Sequence, residues 1–287
     1  MSSFANILIL GTIWGALYSL IAVGFTLIFG VAGIINLAHG SFYMLGAYLA
    51  YTFMTVFKIN VPFSALMAVV ATAGIGMIID RFGIRPMRER HVYVLIITLA
   101  FALFFQEMMY VIYGPYGKAV QNFIAGEIIL GGVHVSYQKA LTFFASAFFV
   151  MLLWVFIKKT KTGKSIAAVA QNKDAAILMG IQHEKVYLMT AGISAGLAAV
   201  AGVFIAPILE AVPAMWAFPL FKAFAIVIIG GLGSLEGAII AGMLLGYSET
   251  LVSILISANY PDMVYLIAII LVLVLRPTGL MSKSKGH

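Results

Sequence analysis

The chain has 287 residues, of which 63% are hydrophobic and 9% charged, and its formal net charge is +7. A soluble domain carries roughly 25% charged residues to cover its surface, so this composition argues against soluble-enzyme readings and for a chain solvated by the bilayer. The absence of cysteine excludes disulfides, Cys-ligated zinc, iron–sulfur clusters and thiol catalysis, and His39, His91, His134, His183 and His287 form no i, i+4 pair that would hold a metal.

A membrane-spanning helix needs about 20 apolar residues. Runs of that kind are predicted over 5–29, 37–57, 62–80, 92–113, 139–157, 186–209, 237–257 and 260–275, with a shorter apolar piece at 220–232. The fold class is therefore an all-α integral membrane bundle of about eight spans, read as one transmembrane domain over 1–287. The first run has no basic lead and is too long for a signal-peptide core, so it is expected to be a retained span. Its end is broken at Gly30-Val-Ala-Gly-Ile-Ile-Asn-Leu-Ala-His-Gly40.

The fourth run carries Glu107 beside Gln106. A charge at a span centre costs roughly 2.5–3.5 kcal/mol on insertion scales, which the surrounding Leu, Ile, Phe and Val residues offset. Glu107 is expected to face headgroups near the outer end. After the fifth run comes a soluble loop, 158–185, in which Ile166, Val169, Ala170, Lys173, Ile177 and Ile181 recur at helical steps. It predicts a short amphipathic helix or helix pair, with Gly180 as a C-terminal stop. Such a helix either lies on headgroups or docks a partner, and docking is the sharper reading. Thr162-Gly-Lys-Ser165 resembles the end of a phosphate-binding loop, but Lys158 stands where that loop needs its first glycine. Any ATP-driven motor is expected on a separate subunit.

Further on, Gly230-Gly-Leu-Gly-Ser-Leu-Glu-Gly237 interrupts the apolar pattern a second time. Residues 220–232 are predicted to dip part-way in, break there, and let 237–257 climb out. Two such breaks, at 30–40 and 230–237, match transporters built from repeats with the pathway between them. Asn36 and His39 are expected to satisfy backbone groups freed by the first break, or to line the solute path; Glu236 has the same two readings. Lys222, Glu210 and Glu249 are candidates for pairing near the outer face. The pairs Gly192/Gly196 and Gly242/Gly246 predict close helix contact.

Of the 17 Lys and Arg residues, thirteen lie in the loops at 81–92 and 158–185 and in the tail (Arg276, Lys283, Lys285). The remaining four are Lys58, Lys118, Lys139 and Lys222. This bias predicts that the two loops and the tail are cytoplasmic. It also accounts for the net charge without nucleic acid.

Four stretches carry a family resemblance. They are Ala22-Val-Gly-Phe-Thr-Leu-Ile-Phe-Gly30 with Ile34-Ile-Asn-Leu-Ala-His-Gly40, Ala168-Val-Ala-Gln-Asn-Lys-Asp-Ala-Ala-Ile-Leu-Met-Gly-Ile181, Ile229-Gly-Gly-Leu-Gly-Ser-Leu-Glu-Gly237, and Leu275-Arg-Pro-Thr-Gly-Leu280. In this order the chain resembles the permeases of branched-chain amino acid ABC importers of the LivH/LivM type, closer to LivH. The resemblance implies an inner (plasma) membrane permease that is not itself an enzyme, has no cofactor or metal, and imports branched-chain amino acids by alternating access. It implies a second homologous permease subunit, two cytoplasmic ABC ATPases and an extracytoplasmic solute-binding protein as partners. The coupling segment would be carried by Ala168, Gln171, Asn172, Asp174, Ala175, Ala176, Gly180 and Ile181. The translocation pathway would involve Asn36, His39, Gly40, Gly231, Gly233, Ser234 and Glu236. The alternative that keeps this architecture changes the cargo to urea, short amides or another small organic solute. A passive channel is the reading from another class, but it has no use for an amphipathic cytoplasmic helix. A proton-handling subunit of a redox complex would need more mid-span ionisable residues than this chain has.

Overall fold

Inside a bilayer every backbone polar group must find its partner within the protein, so apolar segments of this length fold as helices. The computed structural model describes residues 2–276 and 279–281. In chain order it contains α1 (Ser2–Ala32), α2 (His39–Thr55), α3 (Val61–Ile79), α4 (His91–Tyr113), β1 (Glu127–Leu130), β2 (Val133–Ser136), α5 (Tyr137–Lys159), α6 (Lys161–Gln171), α7 (Lys173–Leu178), α8 (His183–Leu209), α9 (Ala217–Gly230), α10 (Leu235–Leu255) and α11 (Pro261–Leu275). A π turn and a 3-10 turn extend α3 to Met87. The all-α polytopic class is as expected. The eight equivalent spans are not: among the described residues six helices (α1, extended α3, α4, α5, α8 and α10) are long and apolar enough to cross a membrane. The others, α2, α9 and α11, have only 17, 14 and 15 residues.

The helices run between two ends. At one end, α1 finishes beside the 85–91 turn and the start of α8, since Ala32 lines the same cavity as Arg85, His91 and His183. Gly30 meets Gly233 there, and the amides of Leu280 and Met281 donate to the carbonyls of Ile229 and Gly230. This basic end therefore gathers both basic loops and the described part of the tail. Lys283, Lys285, Pro277 and Thr278 lie outside the described residues. At the opposite end α1 begins against the hairpin, where Val133 and Val135 bury with Ile13. The hairpin turns through Gly131 (φ 58°) and Gly132 (φ 81°), the two positive φ values that a two-residue type I′ connection demands.

The two halves of the chain follow the same path in opposite directions. In the first, α1 runs to the basic end, the backbone turns back unwound through 33–38, and short α2 returns ahead of α3 and α4. In the second, α8 runs to the opposite end, the backbone re-enters unwound through 210–216, and short α9 returns ahead of α10 and α11. Neighbours correspond too: α1 packs on α10 as α8 packs on α3, and α2 on α3 as α9 on α10. Element order and neighbours follow the pattern of an inverted repeat, but the break that matches 33–38 is 210–216. Residues 230–237 instead form a tight turn at the basic end, so this turn is a connection between helices, where the sequence predicted a break part-way in. The second true break, with Glu210 at φ 61° and Pro213 behind it, contains no glycine.

Lipid is as apolar as leucine, so van der Waals packing rather than water expulsion holds such helices together. Small residues sit where the backbones touch. Gly242 and Gly246 of α10 lie on Ser19 and Gly15 of α1, while Gly76 of α3 lies on Ala195 of α8. Gly192 packs on Met77, as the small-residue spacing predicted. Burial follows: 67% of the apolar window of α8 is buried against 17% for α5 and 22% for α4, which puts α1 and α8 at the centre and α4 and α5 at the rim.

Candidate functional site

Three places carry chemistry. The first is the crossing of the two unwound segments. Gly40, in the first turn of α2, abuts the carbonyl of Trp216 and the Leu220 side chain at the start of α9, leaving no room for a Cβ. Around it the freed backbone groups are satisfied in turn. Asn36 accepts from the Ala38 amide at 3.1 Å, and Thr98 Oγ1 accepts from the Leu37 amide at 3.2 Å. His39 Nε2 lies 3.1 Å from the Ile21 carbonyl. Its Nδ1 lies 3.2 Å from Ser194 Oγ, which donates to the Gly24 carbonyl. Asn36 and His39 are 2% and 0% exposed; Asn36 closes a local turn onto Ala38, and His39 joins α2 to α1 and α8. Asn36 thus serves an amide of the break itself, while His39 bridges a carbonyl inside α1 and Ser194 of α8.

The other members of the predicted pathway set lie elsewhere. Gly231 is buried, Gly233 and Glu236 are exposed, and Ser234 caps α10 by accepting from the Gly237 amide at 3.0 Å. They sit at the basic end, so the structure separates the seven residues into two groups at different depths.

The second place is the 158–185 segment, which forms the predicted helix pair. Thr160 caps α6 through the Gly163 amide at 2.9 Å. Asn172 ends α6 and caps α7 through the Ala175 amide at 3.0 Å. Gly180 (φ 79°) stops α7 as expected, with the Ile181 amide reaching back to the Ala176 carbonyl at 3.0 Å. The apolar face of α6, Ile166 and Val169, is 1% and 3% exposed because α1, α5 and α8 receive it. Ala176 is likewise buried, Ala168 and Ile181 are half-buried, and Gln171, Asn172, Asp174, Ala175 and Gly180 are exposed. Beyond them Leu178 and Met179 stand out at 88% and 83% exposure. Of the residues singled out by periodicity, Ile166 and Val169 are therefore used inside the chain, Ile181 is half-buried, and Ala170, Lys173 and Ile177 are exposed. The outward apolar tip, which periodicity did not single out, is the end of α7.

The third comprises the charged groups. Lys222 Nζ pairs with Glu249 at 2.9 Å and with Asp262 at 3.1 Å, and Tyr18 donates to the same Glu249 oxygen at 2.7 Å. Of the three candidates, Lys222 and Glu249 thus pair. Glu210 lies instead against Gly117, beside the bridge between Lys118 and Ala211. At the basic end, Arg88 pairs with Asp80 at 2.7 Å and Glu184 at 3.3 Å and stacks over Tyr187 with its guanidinium 4.1 Å from the ring centre. Arg88, Glu184 and Tyr187 line a cavity of about 840 Å³ with Arg85, Arg90, Lys173 and His183. Sequence reasoning used Arg88 only as a topology charge. Its partners come from α3 and α8, and nothing local announces them. No group of three potential metal ligands occurs among the described residues.

The family described as branched-chain amino acid transport system / permease component matches residues 7–274. The chain is 32% identical to the high-affinity branched-chain amino acid transport system permease protein BraD of Pseudomonas aeruginosa, over 97% of this chain and 95% of BraD. It is 29% identical to the permease protein LivH of Escherichia coli, over 96% and 94% of the two chains. Among solved structures, PsaBC from Streptococcus pneumoniae in complex with Fab superposes with a TM-score of 0.52 over 95% of this chain and 92% of that one, at 12% identity, a likeness of fold alone.

Proposed function

The chain belongs to the family of branched-chain amino acid transport permease components, and from that premise we propose that it is the membrane half of an ATP-driven importer, coupled to its motors through the end of α7. It is an ABC-importer permease of the inner membrane, crossing it several times. The cargo we assign is a branched-chain amino acid, following the names of its relatives. Basic loops, by the charge bias, face the cytoplasm, and the hairpin end faces the solute-binding protein.

One observation carries the coupling assignment. Leu178 and Met179 project at the basic end while the apolar face of α6 is already covered by the chain's own spans. An apolar tip displayed beside exposed Asp174 and Lys173 suits insertion into a groove on a separate cytoplasmic subunit. α6 rests on α1, α5 and α8, and α7 runs directly into α8. Closing two ATPases on this tip would push both halves of the inverted repeat at once, and a two-state tilt of the halves is alternating access. A second permease subunit would pack on the sparsely buried α4 and α11, which occupy corresponding places in the repeat, leaving the solute path between the two subunits.

The test is Leu178→Asp with Met179→Asp in the assembled importer. ATP hydrolysis stimulated by the binding protein should fall at least about tenfold, the effect of losing ~1.4 kcal/mol of docking, while the permease still inserts and purifies. Unchanged uptake and hydrolysis, or the same result from Ala175 and Gly180 replaced by bulky charged residues, would overturn the docking assignment. ATP-independent flux through this chain alone in liposomes would overturn the importer reading in favour of a channel.

A further inference from the structure

We propose that Glu107 is the group that receives the positively charged ammonium of the solute on its way through the membrane. The inference rests on the reading that α4 faces the second permease subunit across the path.

α4 turns one side to α2 through Val94, Thr98, Ala102, Phe105 and Met109, all buried. The other side is a stripe at helical spacing made of Ile96, Leu103, Glu107 and Val111, each exposed. Glu107 is the sole charged residue between Val92 and Tyr113. It lies six residues, about 9 Å at 1.5 Å per residue, below the end of α4. No described cation forms a salt bridge with it, in contrast to Glu249 and Asp80, whose carboxylates are paired. A carboxylate at that depth facing hydrocarbon is unfavourable, and its side chain is too short to reach the surface as lysine does. A wet path removes that difficulty.

The carboxylate is also held in place. Glu107 Oε1 accepts from Gln106 Nε2 at 3.2 Å, and Gln106 Oε1 accepts from the indole N–H of Trp216. Trp216 is 7% exposed and stands at the head of α9, with its carbonyl against Gly40. A hydrogen-bond chain therefore runs from the crossing of the two half-helices to an exposed carboxylate on α4. A fixed anion with no cation of its own matches a primary ammonium, the group every amino acid carries and a sugar lacks. A tilt of α9 against α4 would move Trp216, and through Gln106 would re-aim the carboxylate.

The experiment uses the importer reconstituted with its partner permease, ATPases and binding protein. The readout is leucine taken up per ATP hydrolysed, a ratio that subunits failing to fold do not alter. Glu107→Gln should lower this ratio about tenfold, and Glu107→Asp should restore most of it. An unchanged ratio in Glu107→Gln overturns the proposal. Vesicles without phosphatidylethanolamine separate the two sources of ammonium: the defect should persist there, and its disappearance would reassign Glu107 to a lipid headgroup. The chain has no cysteine, so Val111→Cys gives a single reporter on the same stripe. Labelling by a membrane-impermeant thiol reagent supports the path; labelling only by a lipid-soluble one overturns the α4 reading itself. Aqueous labelling together with an unaffected Glu107→Gln overturns the ammonium assignment alone.

Discussion

Replacing Lys222 by methionine alone should destabilise the protein far more than replacing Lys222 and Glu249 together. The Lys222 side chain is 13% exposed and that of Glu249 6% exposed. One Glu249 oxygen already lacks a partner, while the other is shared by Lys222 and Tyr18. Lys222→Met leaves a buried carboxylate supported by a single phenol, and breaking a buried pair in this way costs about 3–5 kcal/mol. Asp262 adds little, because it is 53% exposed and an exposed ion pair is worth about 0–1 kcal/mol. In the double variant Lys222→Met with Glu249→Leu both charges vanish, and such replacements are close to neutral. At about 2–4 °C per kcal/mol, the single variant should melt about 6–20 °C lower in detergent, and the double variant should recover most of that loss. A Lys222→Met shift under about 2 °C, or a double variant no better than the single one, would refute the view that α9 and α10 are clipped by a desolvated ion pair.

Two further outcomes follow from particular contacts. Gly202 of α8 lies on the Tyr43 carbonyl of α2 with no space for a Cβ, so Gly202→Val must drive two central helices apart. It should cost about 1–3 kcal/mol or more, read as loss of the monodisperse peak in size-exclusion chromatography. Asn172 is the cap that α7 uses, and Asn172→Ala should cost about 1 kcal/mol locally. Faster hydrogen exchange confined to 173–180, together with weaker coupling of hydrolysis to uptake, is the expected result.

The spans were legible because apolar length is a one-dimensional property, and the turn at Gly180 because a left-handed stop suits glycine. The 158–185 helix pair was legible from its period. Which of its faces points outward was not, since that depends on Ile166 and Val169 finding α1, α5 and α8. The breaks were half legible. The glycines of 30–40 marked the first. The second, at 210–216, has no glycine, and the glycine-rich 230–237 drew attention to a turn instead. The tie of Gln106 to Trp216 was not legible, because it spans more than a hundred positions of chain.

By itself, then, the sequence determined the solvent, the approximate spans, the bias of charge between the two ends and, through four short stretches, the family. Those properties are local or additive along the chain. Only the tertiary structure decided that the halves follow the pattern of an inverted repeat meeting at Gly40 and Trp216, that Lys222 chooses Glu249 over Glu210, and that His39 joins α2 to α1 and α8. Each of those is a choice of partner among distant residues. In a bilayer that choice is made by how closely small residues let backbones approach and by which polar groups would otherwise be left alone in hydrocarbon.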